Sequence, residues 1–336
     1  MIQHQYIERD SGRVCTERLW GDSAIGFLYS HARERMPTLF RVLTSARMSS
    51  LLGLLQYDLS PFGEVSRVRD FLQECGVDLS ECVERPEQLD TPRKIFERKI
   101  RYGDCRPLPE DPRTVVSPAD SRMICGSLSQ TSSLFLKEKF FHYEELLGPD
   151  KEQWLAAFRD GDFAIFRLTA DKYHYNHTPV AGRVADIYEI DGDYHSCNPG
   201  AVVSLVTPFS KNKRVVTIID TDVPGGSRAG LVAMIEVAAL LIGEIVQCYS
   251  GDRYESPCPV IRGMFLKKGL PKSQYRPGSS TDVLIFQAGR IRFEKDLIQN
   301  MYVQGVESRF SEGFGRPLVE TDVKVRSRIA TAQNNH

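Results

Sequence analysis

Hydrophobic positions along this chain change their spacing twice, and the changes divide it into three stretches. From Ser23 to about Glu84 they recur at helical intervals: Leu39, Leu43 and Ala46, then Leu51, Leu52 and Leu55, line one face. Asp22 and Ser23 can cap a helix beginning near Ala24, and Pro37 suits the first turn of a second helix. Arg33, Arg35, Arg41 and Arg47 flank the stripe. The pattern fits a helical subdomain packed on a core. It also suits an amphipathic surface resting on a membrane interface, with arginines near anionic headgroups.

From Arg85 to Asp120 the periodicity stops. Pro86, Pro92, Pro107, Pro109, Pro112 and Pro118 mark a wrapping linker that ends in a short strand, Thr114-Val115-Val116. Between about Cys125 and Arg328 short β-branched and aromatic runs predict strands at Phe163–Leu168, Val202–Val206 and Arg214–Ile219. Gly182, Gly192 and Gly200, with Asp191 and Asp193, mark the turns. Helices are expected at Tyr143–Leu147 and Lys151–Phe158, and Leu231–Ile245 reads either as a helix or as a pair of buried strands. The expected class is α+β: a helical N-terminal region at 1–90, then a β-rich, mostly antiparallel core at 91–336.

Composition narrows the function. With 336 residues, 41% hydrophobic and 26% charged, the chain can bury a sizeable core. Lys and Arg total 43 against 44 Asp and Glu, so no basic excess points to nucleic acid. None of the eight cysteines forms a C-x-x-C pair, which argues against a zinc ribbon or dithiol site and for reduced thiols. The N-terminus has no apolar signal core, and the most apolar run, Leu231–Ile245, is too short to span a bilayer and carries Glu236 and Glu244. A cytoplasmic protein is expected, with at most peripheral membrane contact through the first stretch.

Three segments carry candidate chemistry. His174 and His177 sit three apart in Asp171-Lys172-Tyr173-His174-Tyr175-Asn176-His177-Thr178-Pro179. Histidine moves protons near neutral pH, but two surface histidines also occur by chance, and a zinc site would need a third ligand that no spacing supplies. Ser117-Pro118-Ala119-Asp120 alone is a turn or cap. Pro277-Gly278-Ser279-Ser280-Thr281, before the strand Val283-Leu284-Ile285-Phe286, is either a polar turn or a tight backbone around a reactive serine. Together they supply the parts of an Asp–His–Ser triad in the order Asp120, His177, Ser280. There is no G-x-S-x-G elbow of an ordinary serine hydrolase.

That arrangement resembles the phosphatidylserine decarboxylase family, over roughly two thirds of the chain. Arg106-Pro107 before Ser117-Pro118-Ala119-Asp120, the His174–Gly182 segment, Tyr194 through Pro199, Asn212-Lys213-Arg214-Val215, Val237 through Ile245, and Lys268-Gly269 through Phe286 look like that family's motifs in its order. The resemblance implies that a serine attacks the preceding carbonyl, and that the chain splits and leaves a covalent pyruvoyl group on the small fragment. This group then binds the substrate amine and takes up the electrons left by departing CO₂. It implies no pyridoxal phosphate and no metal. His177, oriented by Asp120, would be the base for cleavage, and His174 the acid or base for decarboxylation. Counting back from Phe286 places the reactive serine at Ser280, with fragments 1–279 and 280–336. Ser279, cut after Gly278, is the alternative. Two departures matter. Ser121 stands where the family has glycine, and Tyr175 where it has an arginine that could fork onto a phosphate or carboxylate. The substrate implied is phosphatidylserine; a free, perhaps aromatic, L-amino acid is the alternative, and an inactive binding or scaffold relative is the alternative of another class. A homo-oligomer is compatible with the sequence and not specified by it.

Overall fold

The computed structural model describes residues 3–19, single positions between 22 and 44, and 77–129, 140–169, 171–205, 207–240, 244–278 and 280–333. The predicted helical stretch Ser23–Glu84 lies mostly outside the described residues, as does Ser279.

The described strands, in chain order, are β1 (Gln5–Glu8), β2 (Val14–Thr16), β3 (Thr114–Val116), β4 (Ser121–Ser127), β5 (Asp162–Leu168), β6 (Tyr175–His177), β7 (Gly182–Ile190) and β8 (Arg214–Asp220). They continue as β9 (Leu231–Ala238), β10 (Ile245–Gln247), β11 (Phe265–Leu266), β12 (Pro271–Tyr275), β13 (Ser280–Phe286), β14 (Ile291–Phe293), β15 (Glu320–Val323) and β16 (Arg328–Ala332). Ten form one sheet in the order β11-β7-β8-β9-β13-β5-β4-β15-β1-β2, antiparallel except for the β1–β15 pair. Two three-stranded sheets, β10-β12-β6 and β14-β16-β3, pack beside it. The class is therefore the expected α+β with a β-rich, largely antiparallel core.

Strand β13 lies at the centre. Its seven residues are all buried, which suits the run Val283-Leu284-Ile285-Phe286 with a neighbour on each edge. These side chains join one large core with Phe163, Ile165, Val232 and Ile235. At roughly 1.5–3 kcal/mol for each large side chain buried, that core fixes where β13 begins.

The sequence expectations meet the structure differently. Thr114–Val116, Phe163–Leu168 and Arg214–Ile219 are strands as expected, and helices at Tyr143–Leu147 and Glu152–Ala157 fall on the predicted ones. The ambiguous run is a strand, β9, followed after a break by β10. Val202–Val206 is not a strand. Pro199–Ser204 is a helix, because Pro199 presets its first turn and the Asn198 side chain accepts the Gly200 amide at 2.8 Å. Gln5–Glu8 and Val14–Thr16, within the region assigned to N-terminal helices, pair at an edge of the main sheet instead. Short polar edge strands with one buried residue, Ile7, leave no periodic signal.

The described α-helices are short: α1 (Pro92–Phe96), α2 (Tyr102–Cys105), α3 (Tyr143–Leu147), α4 (Glu152–Ala157), α5 (Pro199–Ser204), α6 (Pro208–Lys211), α7 (Lys295–Met301) and α8 (Arg309–Phe314). The proline-rich stretch, expected to be a linker, forms α1 and α2 before β3. Among the described residues no helix is long and apolar enough to cross a membrane.

Candidate active site at the head of strand β13

Ser280 is the first residue of β13, opposite Leu168 of β5 and Ala238 of β9. Its side chain is fully buried, and its hydroxyl has no hydrogen-bond partner. Buried polar atoms are nearly always paired, so an unpaired hydroxyl at a strand head needs a reason. The preceding turn is reached through Gly278 at φ 148°, a conformation that side-chain-bearing residues rarely adopt.

His174 lies in the same neighbourhood. The small cluster that contains Leu168 and Ala238 also holds Phe96, Ala119 and Tyr275. Phe96 stacks on the His174 ring at 3.5 Å between centroids, and the Tyr275 amide donates to the His174 carbonyl at 3.0 Å. His174 is fully buried. Its Nδ1 faces the Lys172 carbonyl oxygen at 2.8 Å and so carries the proton, while Nε2 has no partner. Burial depresses its pKa to about 3, so the ring is neutral at pH 7 with an open lone pair.

His177 is neutral for the same reason, with its pKa also brought down to about 3. Its environment differs. Nδ1 donates to the Gly269 carbonyl at 2.9 Å, and Nε2 accepts from the Tyr173 hydroxyl at 2.9 Å. That hydroxyl lies 2.7 Å from the hydroxyl of Tyr254. Tyr175, where the resemblance has an arginine, is buried in the same aromatic layer: its ring stacks on Tyr173 at 5.4 Å and meets Tyr254 edge-on at 5.0 Å.

Asp120 does not hydrogen-bond to His177 in this structure. Arg106 takes its carboxylate with a fork, Nε at 3.1 Å and Nη2 at 2.8 Å, and the Val325 amide donates at 2.7 Å. These donors hold the carboxyl ionised against the cost of burial and lower its pKa. The segment reaches His177 through the backbone instead, the Pro118 carbonyl accepting the His177 amide at 2.7 Å. The expected Asp-to-imidazole contact is thus replaced by an Asp–Arg pair, because a guanidinium at position 106 matches a carboxylate better than an imidazole does.

A polar group that the sequence reading missed lies along the same face of β13. Side chains alternate along a strand, so Asp282 shares a face with Ser280, about 7 Å away. Asp282 stands opposite Glu236 of β9, and both are fully buried. Glu236 is well served: Lys272 Nζ at 2.7 Å, Gln247 at 2.9 Å, Asn176 at 3.4 Å and the Ser273 hydroxyl all donate to it. Asp282 has one protein partner, the Tyr275 hydroxyl at 2.7 Å, and its Oδ2 has none. Burial, and then the Glu236 charge, push its pKa well up, so Asp282 is held as a neutral acid. Tyr275 also lies 3.1 Å from the Thr281 carbonyl. Its hydroxyl therefore clasps the two ends of the loop that contains Gly278 and Ser280. One sequence signal was available: a Glu inside the otherwise apolar run of β9, and an Asp directly before the apolar run Val283–Phe286.

The opposite face of β13 and β5 carries paired charge. Arg167 forks onto Glu320 at 3.0 and 2.5 Å and onto Glu17 at 2.8 and 2.5 Å, and His4 meets Glu320 at 2.8 Å. His4, Glu17 and Glu320 place three ligand-type atoms close together, but the Arg167 guanidinium already bridges both carboxylates.

Comparison with known proteins agrees with the family resemblance. Residues 93–312 match the model of the phosphatidylserine decarboxylase family. A Chlamydia trachomatis protein named phosphatidylserine decarboxylase proenzyme is 30% identical over 316 residues, covering 92% of this chain and 95% of its own length. A Fusobacterium nucleatum protein of the same name is 29% identical over 297 residues, 88% of this chain and 91% of that one. A Schizosaccharomyces pombe protein, phosphatidylserine decarboxylase proenzyme 3, is 28% identical over 326 residues, which are 96% of this chain and 30% of that longer protein.

Proposed function

Because the chain belongs to the phosphatidylserine decarboxylase family of carboxy-lyases, we propose that it converts phosphatidylserine to phosphatidylethanolamine and CO₂ after cutting itself before Ser280. The observation that carries this reading is the pair of buried, unpartnered atoms in one neighbourhood: the Ser280 hydroxyl and the neutral His174 Nε2.

In the cut, Ser280 Oγ loses its proton and attacks the carbonyl carbon of residue 279. The peptide C–N bond breaks and an ester forms, leaving the Ser280 nitrogen as an amine. Loss of the Ser280 α-proton then expels the new carboxylate end of residue 279. Water replaces the nitrogen of the resulting enamine, and ammonia leaves. A pyruvoyl group, once formed at position 280, supplies a carbonyl that captures the substrate amine and accepts the electron pair released with CO₂. The residues fit it: a serine buried between two strands, with a neutral imidazole and a neutral carboxyl in the same buried neighbourhood.

His177 is the base for the cut; its Nε2 accepts from the Tyr173 hydroxyl and its Nδ1 donates to the Gly269 carbonyl, so the Tyr173 bond must open before Nε2 takes the Ser280 proton. His174, whose open nitrogen awaits a group from outside, delivers the proton to the substrate carbon after CO₂ departs. Asp120 and Arg106 hold the Ser117–Asp120 segment against His177. The substrate contact at a membrane is peripheral.

Intact-mass spectrometry tests the reading. The parent chain should give fragments 1–279 and 280–336, the second beginning with pyruvoyl, and Ser280→Ala should stay whole. Fragments divided after Gly278 would move the site to Ser279. A chain that remains uncut would overturn the proposal. Phosphatidylserine in vesicles is the substrate expected to release CO₂, and release from free amino acids alone would replace the lipid with a soluble substrate. His177→Ala should block cutting, whereas His174→Ala should cut and lose at least about 10²-fold in decarboxylation.

A further inference from the structure

A hollow with several cations in its lining borders the tyrosine layer at Tyr102 and Tyr254. Its volume is about 520 Å³, and Lys99, Arg101, Arg253, Arg326, Tyr102 and Tyr254 line it. Two acids, Asp104 and Glu255, also reach it, so cations outnumber carboxylates there.

Arg326 is the unusual member. It is 8% exposed, and among the described residues it forms no ion pair. One Nη donates to the Tyr102 carbonyl at 2.8 Å, the guanidinium lies 4.9 Å from the Tyr102 ring centroid, and Nε has no partner. A buried cation without a counter-charge is costly, and proteins seldom keep one without use. The backbone adds a second, independent sign. Arg326 has φ 69° and Arg253 φ 48°, left-handed values that cost a side-chain-bearing residue energy. Two of the few such residues are arginines lining one hollow, and strain of this kind gathers at ligand sites. The exposed Arg253 and the partly exposed Lys99 add two more cations to the lining.

We propose that this hollow is an anion site for a phosphate group, either free or on a lipid headgroup, held by the Arg326 guanidinium with Arg253 and Lys99 closing over it. A planar fork suits a tetrahedral oxyanion, and the two tyrosines wall the site from bulk water. Neither Ser280 nor self-cleavage is needed for the binding itself.

The uncut Ser280→Ala chain and the mature parent are therefore heated with inorganic phosphate, with glycerol phosphate, or with chloride at equal ionic strength. Flotation with phosphatidylcholine vesicles, with and without phosphatidate, is measured alongside. The expected result is a saturable rise of about 3 °C with phosphate over chloride, which Arg326→Gln and Arg253→Gln each weaken at least about tenfold. Flotation only with phosphatidate, lost in both variants, assigns the site to a lipid headgroup. If phosphate acts as chloride does and flotation ignores phosphatidate, or if both variants respond like the parent, the site does not exist. Should Arg326→Gln fail to fold, the exposed Arg253 decides. An uncut parent that still binds phosphate sinks the cleavage reading alone, and a cut parent that binds none sinks this one alone.

Discussion

The two faces of β5 and β13 bury polar groups in opposite ways. On the Arg167 face every charge meets an opposite one: Arg167 with Glu17 and Glu320, Arg122 and Lys172 with Asp322. On the Ser280 face polar atoms are left without partners: the Ser280 hydroxyl, His174 Nε2, Asn176 Oδ1 and Asp282 Oδ2. Both faces lie within the same sheet, and the Arg167, Glu320 and Ser280 side chains are all buried. Among the described residues the charge network leaves only Arg122 Nε buried without a hydrogen bond, and that nitrogen still faces Glu17 at 3.9 Å, so the network serves the fold. An open set of neutral groups costs stability and is kept where chemistry occurs.

The largest effect should come from opening the closed face. Arg167→Met would strand Glu17 and Glu320 as buried carboxylates, and removing one partner of a buried pair costs roughly 3–5 kcal/mol. Chemical denaturation should show that loss, while the molecules that remain folded still cut at Ser280. Ser280→Ala should do the reverse, abolishing the cut while leaving stability within about 1 kcal/mol, because the hydroxyl it removes has no partner. If Arg167→Met folded normally and could not cut, the division between the faces would be wrong.

How much of this was legible in the sequence follows from what each signal depends on. Strand β13 and its head could be read, because an apolar β-branched run announces a buried strand and Gly278 announces a tight turn. The α+β class followed from the same periodicities. Helix α5 was misread because β-branched Val202 and Val203 outweighed a proline and an Asn cap. Arg106 was read only as part of a motif, since nothing local says that a guanidinium fourteen residues before Asp120 will claim it. Asp282, Glu236 and Tyr275 were invisible as a group, because they come together only through strand register.

Acid should separate the faces next. His174 and His177 have pKa values of about 3 in the fold and near 6.5 when unfolded, so the unfolded chain binds their protons first. Their stability contribution is complete above pH 6.5 and is lost as pH falls toward 3, at about 1.4 kcal/mol per pH unit for each ring. Glu320, lowered to about 2 by Arg167 against the cost of burial, adds its own loss only below its ordinary value of 4.5. Thermal melts between pH 6.5 and 4.5 should therefore fall in the parent and fall less in a His174→Gln, His177→Gln double variant. Parallel curves would mean that the imidazoles are not buried neutral.

The smallest effect tests the clasp. Asp282 has its pKa raised, so the folded chain keeps a proton that the unfolded chain gives up above pH 4. Its contribution is whole below that pH and is lost as pH rises toward the folded value, the opposite sense to the histidines. Asp282→Asn keeps a neutral group of the same shape in place of the acid. It should match the parent near pH 4.5, become the more stable of the two by pH 8, and still cut. Tyr275→Phe removes only the hydroxyl that spans the loop, a neutral hydrogen bond worth about 1 kcal/mol. It should slow the appearance of fragment 280–336 about fivefold at pH 7 without changing decarboxylation per cut chain. If Tyr275→Phe cut at the parent's rate, or if Asp282→Asn lost stability equally at both pH values, the open face would owe its shape to packing rather than to a proton held between β12 and β13.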